Sequence, residues 1–223
     1  MGEWISLQAD DGHALAAYRA QGSDAPKAGL VVIQEIFGVN DHIRSVAEGF
    51  AREGYRVLAP ALFDRVAPGI ELGYTPDDVA RGREIRAQIA HEDALRDVKA
   101  AVDALRAEGL KTGVVGYCWG GSLAWNAATR LEGVGAAVGY YGGMIPDMCD
   151  EVPKAPVMLH FGEQDASIPM EGVEKVKAAH PEVPVHVYPA GHGFNCDQRA
   201  SFDAQSARLA RERTLAFLAE HLG

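Results

Sequence analysis

The chain has 223 residues, 48% of them hydrophobic, with 21 lysine and arginine against 31 aspartate and glutamate, for a formal net charge of −10. This length can bury one sizeable core, so residues 1–223 are expected to form a single domain, and the negative surplus would repel a phosphate backbone, which disfavours a nucleic-acid partner. The start Met1-Gly2-Glu3-Trp4-Ile5-Ser6 lacks the basic and apolar regions of a signal peptide and no apolar run reaches membrane-spanning length, so no membrane partner and a soluble, cytoplasmic protein are expected.

The elements follow in chain order. Trp4 to Gln8 and Ala14 to Arg19 flank Asp10-Asp11-Gly12 and predict a leading hairpin. Leu30-Val31-Val32-Ile33 predicts a fully buried strand, His42 to Glu53 a helix, and Tyr55 to Leu58 the next strand. From Pro60 to Asp77 there is no periodicity, and Pro60, Pro68, Gly69, Gly73 and Pro76 predict a long loop, either the rim of a site or a tolerated insertion. Ala94, Leu95, Val98, Ala101, Val102 and Leu105 recur at helical spacing and place an amphipathic helix over Asp93 to Ala107. After the short strand Gly113-Val114-Val115 come a helix from Ser122 to Arg130 and strands over Ala136 to Tyr141 and Val157 to Phe161. A helix over Met170 to Ala179, a strand over Val185 to Tyr188 and a helix over Ala204 to Leu222 complete the chain. Strands separated by helices predict an α/β fold whose mostly parallel central sheet carries helices on both faces.

The turn between the Gly113 strand and the helix that follows it reads Gly116-Tyr117-Cys118-Trp119-Gly120-Gly121. Strand, Gly-x-nucleophile-x-Gly and helix form a nucleophile elbow, with the Cys118 thiol as the exposed nucleophile. Taken alone the hexapeptide reads equally well as a buried cysteine beside a glycine turn. Two later loops weigh against that. Asp165, in Gly162-Glu163-Gln164-Asp165, leaves the Val157 strand, and His192, in Gly191-His192-Gly193-Phe194, leaves the Val185 strand. Each candidate therefore sits past the C-terminal end of a strand, where open α/β sheets bind ligands. The order nucleophile, carboxylate, histidine marks the α/β-hydrolase fold. Glu163 is the alternative carboxylate. Among the other histidines, His13, His42, His91, His180 and His221 read as surface residues, and His160 and His186 as packed or hydrogen-bonded within strands. Cys118, Cys149 and Cys196 are too few and too scattered for a disulfide framework, and without a CxxC pair they read as reduced thiols. Cys196, on the same loop as His192, is a candidate to approach Cys118.

With these residues in place the chain resembles the dienelactone hydrolases, the carboxymethylenebutenolidases. The resemblance rests on Gln34-Glu35-Ile36-Phe37-Gly38-Val39-Asn40, Gly54-Tyr55 with Pro60, the Gly116 to Gly121 elbow, Ala137-Val138-Gly139-Tyr140-Tyr141-Gly142, Gly162 to Asp165 and Gly191 to Phe194. Its specific part is the Gln34 to Asn40 segment together with a cysteine elbow. It implies hydrolysis of an enol lactone such as dienelactone to maleylacetate, in bacterial breakdown of chlorinated aromatics. It further implies that Glu35 contacts the resting Cys118 thiol and moves aside when substrate binds. A free thiol, with a pKa of about 8.5, is mostly neutral at neutral pH, and the thiolate is the nucleophile. Cys118 would attack the lactone carbonyl with His192 as base and Asp165 as its orienting acid. Backbone N–H groups of Ile36 and Trp119 would hold the oxyanion, and a thioester would form and hydrolyse with no metal or organic cofactor.

The resemblance also implies apolar substrate contacts from Phe37 and Phe194, and two arginines for a substrate carboxylate. Arg81 and Arg83 compete for the first of these. After His192 the chain reads Asn195-Cys196-Asp197, with Arg199 farther along, so the second is expected to be lost in part. A small lactone or ester is the expected partner, with a different, uncharged ester as the alternative and a non-enzymatic thiol module as a further reading. The sequence does not set the oligomeric state.

Overall fold

The structure is a computed structural model that describes residues 2–20 and 22–223. β1 (Glu3–Gln8) and β2 (Ala14–Ala20) form the leading hairpin, with Leu7 opposite Leu15. β3 (Ala28–Ile33), β4 (Tyr55–Pro60), β5 (Thr112–Tyr117), β6 (Val134–Tyr140), β7 (Val157–Gly162) and β8 (Val185–Tyr188) run parallel to one another. β2 joins them antiparallel along β4, giving one eight-stranded sheet in the order β1-β2-β4-β3-β5-β6-β7-β8. Strands buried on both faces cannot alternate polar and apolar residues, and β3, β5 and β7 are accordingly buried at every position, while β1 at the edge alternates.

The helices that cross between these strands cover the sheet. α1 (Asp41–Arg52) packs on β2 to β4, α3 (His91–Ala107) on β3 to β5 and against α4 (Trp119–Arg130), and α6 (Ala204–Leu222) on β5 to β7. α5 (Met170–Ala179) lies between β7 and β8 in sequence, so the predicted alternation of strand and helix is the observed one. α4, which carries the elbow, is buried on nearly every side, with Leu123, Ala124, Trp125, Ala127 and Ala128 inaccessible. A single side chain such as Leu123 contributes about 1.5–3 kcal/mol by leaving water, so the elbow stands on a rigid support.

The stretch predicted as one long loop is more ordered than its composition suggests. A 3-10 turn at Leu62–Arg65 follows β4, and α2 (Pro76–Ala87) begins inside the predicted loop. α2 opens on a capping box: the Thr75 hydroxyl accepts from the Asp78 N–H at 3.2 Å and the Asp78 carboxylate accepts from the Thr75 N–H at 3.0 Å, with Pro76 in the first turn. Arg65 anchors the 3-10 turn through a forked pair to buried Asp97 on α3, at 2.8 and 2.7 Å, and reaches Asp11 at 2.7 Å. Two histidines read as surface residues are buried instead. His42 turns inward from α1, with Nδ1 3.2 Å from Asp197, and His180 lies edge-on to Trp125 with Nε2 2.7 Å from the Cys149 carbonyl.

Candidate active site

Four loops leave the C-terminal ends of β3, β5, β7 and β8 and converge. The elbow after β5 is strained: Cys118 adopts φ 55 and ψ −114, a region that non-glycine residues rarely occupy. Glycine on either side makes this turn possible. A Cβ on Gly116 would run into the Gly120 carbonyl, and one on Gly120 would run into the carbonyls of Ile33 and Gln34. The elbow and the loop after β3 are tied together by Gln34, whose carbonyl accepts from the Gly120 N–H at 3.1 Å while its side chain accepts from the Leu62 N–H at 3.1 Å.

Cys118 Sγ lies 3.2 Å from His192 Nε2, and His192 Nδ1 lies 2.7 Å from Asp165 Oδ2. The Asp165 carboxylate is buried and also accepts from the Ser167 N–H at 2.8 Å, whereas Glu163, the alternative acid, is exposed. Burial disfavours the His192 imidazolium, but its hydrogen bonds to Asp165 and Cys118 and the negative charge behind them prevail, and the pKa is raised to about 10. The Trp119 N–H is at the first position of α4, with no helical carbonyl a turn earlier to receive it. Among the described residues neither it nor the Ile36 N–H donates to another group. Ile36, Trp119 and Cys118 line the same cavity.

The cavity above Cys118 has a volume of about 410 Å³, with Ile36, Phe37, Arg83, Arg86, Trp119 and Arg199 among its lining residues. Arg81 is exposed on the outer face of α2 and does not line it, a departure from expectation with a simple cause. On a helix, positions 79, 83 and 86 share a face and 81 lies on the other side. Gly82 packs against the Ile36 carbonyl so closely that a Cβ would collide with it, which turns that shared face inward. Arg86, missed from sequence, has its guanidinium 5.8 Å from the Trp119 ring centroid and donates to Met144 Sδ at 3.1 Å. The spacing Val79, Gly82, Arg83, Arg86 behind the Thr75 cap was the available signal.

Arg199 supplies a cation where the sequence suggested a loss. Successive turns, Cys196 N–H to the Gly193 carbonyl at 2.9 Å and Arg199 N–H to the Cys196 carbonyl at 3.1 Å, fold the loop back so that its guanidinium lies against Gly193 beside His192. Gly193 has φ 77, and a side chain there would meet that guanidinium. Phe194 does not line the cavity: its ring is fully buried against Tyr140, Tyr141 and Tyr188 and supports the His192 loop from behind.

Glu35 is buried, but its partners differ from those expected. Oε1 accepts from Arg199 Nη1 at 3.1 Å and Oε2 from the Tyr74 hydroxyl at 3.4 Å, while the thiol turns to His192. A charge-assisted bond to arginine outcompetes a bond to a neutral thiol. Burial opposes the charge on Arg199, yet the nearby Glu35 and Cys118 raise its pKa. Cys196, offered as a partner for Cys118, is buried beside Tyr74 and Glu35, and all three cysteines are free. Burial and the Glu35 charge push the Cys196 thiol up to about 11, so it is neutral at physiological pH.

Known proteins share this arrangement of strands. An esterase from Pyrococcus furiosus superposes with a TM-score of 0.72 at 18% identity, covering 100% of this chain and 94% of its own. The fold is that of an α/β-hydrolase. Carboxymethylenebutenolidase from Pseudomonas putida is 36% identical over 97% of this chain and 96% of its own length. A crystal structure provisionally named dienelactone hydrolase, from Klebsiella pneumoniae, matches with a TM-score of 0.87 and 30% identity over 98% of each chain. The model of the dienelactone hydrolase family matches residues 15–222, and the chain belongs to that family. It is a hydrolase acting on ester bonds.

Proposed function

We propose that this enzyme opens a small anionic lactone, of the dienelactone type, through a thioester on Cys118. One observation carries the reading: a thiol 3.2 Å from an imidazole that is itself 2.7 Å from a buried carboxylate, at the floor of a cavity lined by Arg83, Arg86 and Arg199. The Cys118 thiolate attacks the lactone carbonyl carbon, and the electron pair of the C=O bond moves onto oxygen. The Trp119 and Ile36 amides receive that oxyanion, and one such donor is worth roughly 3 kcal/mol. The intermediate collapses by breaking the ring C–O bond. The His192 imidazolium gives its proton to the departing enolate, which, in a lactone, stays attached to the acyl group. Neutral His192 then takes a proton from water, whose oxygen attacks the thioester. The C–S bond breaks, and the thiolate and imidazolium are restored.

The arginines support an anionic substrate over an uncharged ester, because guanidinium groups suit the planar, bidentate geometry of a carboxylate. Glu35 pairs with Arg199 at 3.1 Å, and a substrate carboxylate would compete with it for that guanidinium. Tyr74 is suited to hold Glu35 throughout, since burial and then the Glu35 charge keep its phenol far above the usual range and therefore a donor. The experiment is to quench the enzyme with a lactone acid during turnover and weigh the intact protein. The expected result is a mass increase equal to the lactone, mapped to Cys118 and absent in Cys118→Ala, which should also lose activity. Turnover by Cys118→Ala, or an adduct on another residue, would refute the thioester.

A further inference from the structure

Around Glu35, three buried side chains of different segments meet. Glu35 comes from the loop after β3, His42 from the first turn of α1 and Cys196 from the loop after β8. A carboxylate oxygen, an imidazole nitrogen and the sulfur all lie within 4.8 Å of one another. The three residues are 0%, 3% and 0% exposed, respectively, which excludes a chance gathering of surface acids. His42 Nε2 is buried and has no hydrogen-bond partner among the described residues, a costly state for a polar atom. From this geometry we infer a binding site for a transition-metal dication of the zinc class, held by Glu35, His42 Nε2 and Cys196 Sγ.

The chemistry of the donors selects the metal. Thiolate and imidazole suit zinc and cobalt, and a single carboxylate oxygen is too few for the all-oxygen shell of calcium or magnesium. On binding, the metal displaces the thiol proton to solvent, so two anionic donors and one neutral one neutralise the dication. Tetrahedral bonds of about 2.0–2.3 Å separate ligand atoms by about 3.4–3.7 Å, so the present spacing closes with an inward shift of about 1 Å.

The groups behind the three donors suit a bound metal as well. A metal-bound histidine usually donates its other ring N–H to a carboxylate. Here His42 Nδ1 faces Asp197 at 3.2 Å, which leaves the Nε2 lone pair free. Tyr74 lies beside both Glu35 and Cys196 and is placed to donate to either. His42 and Asp197 also border a surface groove of about 540 Å³, which gives the ion a way in from solvent. Bound there, the ion would tie the loop carrying Arg199 to α1 and to the loop carrying Glu35.

The test uses Cys118→Ser as background, so that the Cys118 thiol cannot supply a thiolate ligand and the outcome is independent of the thioester mechanism. Titration with Co2+ should saturate at one equivalent and give a thiolate-to-cobalt charge-transfer band with the visible bands of a four-coordinate site. Adding Cys196→Ser should abolish the charge-transfer band, and adding His42→Gln should weaken binding tenfold or more. Zn2+ should raise the melting temperature of the Cys118→Ser protein but not of the Cys196→Ser double variant. Absence of the band in the Cys118→Ser protein at a large excess of Co2+, or its persistence without Cys196, would overturn the site. Because the serine is nearly isosteric and His42→Gln alters a different ligand, failure of one variant to fold leaves the other decisive.

Discussion

Asp165→Asn removes the charge behind His192 and keeps the volume of the side chain. His192 is raised from 6.5 to about 10, a net preference for the imidazolium of roughly 5 kcal/mol at ~1.36 kcal/mol per pH unit. That preference survives a burial cost and is shared between Asp165 and Cys118. If Asp165 supplies about half, its loss weakens the imidazolium by roughly 2–3 kcal/mol, or about 30- to 150-fold in rate, and the lost control of the ring tautomer adds to this. The expected fall in kcat is therefore at least about 100-fold. Because the raised pKa reflects stabilisation of the charged imidazole, the alkaline limb of kcat/KM should lie near 10 in the native enzyme and move down by roughly 1.5–2 pH units in Asp165→Asn. The same shift sets the sign of the stability effect: the His192 contribution is whole below about 6.5 and is lost as pH rises through about 10. The assay is the pH profile of lactone or aryl-ester hydrolysis for native enzyme, Asp165→Asn and Glu163→Gln. A rate within threefold of native for Asp165→Asn, or a larger loss for Glu163→Gln, refutes the assignment.

Arg86→Ala and Arg199→Ala should each raise KM for an anionic lactone tenfold or more, about 1.4 kcal/mol, with little change for a neutral ester, while Arg81→Ala changes neither. A charged-to-neutral specificity ratio that stays fixed in both variants would point to the uncharged ester instead. Gly120→Ala drives a Cβ into the carbonyls of Ile33 and Gln34, so it should cost at least about 1–3 kcal/mol and abolish activity; an unchanged melt with full turnover would contradict the elbow geometry. Arg65→Met leaves the Asp97 carboxylate buried without its partner. It should cost about 3–5 kcal/mol, a fall in Tm of roughly 6–20 °C by thermal denaturation, and a fall under 2 °C would refute a structural role for the pair.

Much of this protein is written in local sequence. The helices over Met170–Ala179 and Ala204–Leu222 and the strand over Val185–Tyr188 stand where periodicity placed them, because each has a strong apolar pattern bounded by turn residues. The positions of Cys118, Asp165 and His192 were legible for the same reason: a loop that leaves a buried strand must emerge at the sheet's C-terminal edge, and glycines mark where the backbone turns there. α2 was not legible, since its residues are mostly polar and its cap lay within a run rich in proline and glycine.

What only the tertiary structure decided concerns direction and partnership. Nothing local says that α2 turns Arg83 and Arg86 toward the cavity and Arg81 away from it; the contact of Gly82 with the Ile36 carbonyl determines that. Nor does the spacing after His192 show that the chain doubles back to bring Arg199 onto Glu35. Phe194 reads like a substrate contact and is buried, while His42 and Cys196 read like a surface residue and a loop thiol and meet Glu35 in the interior. Local pattern determines where a side chain leaves the backbone, because strand and helix periods are properties of a few consecutive residues. Which charge it finds there depends on segments 39 to 164 residues apart, and only packing brings those together.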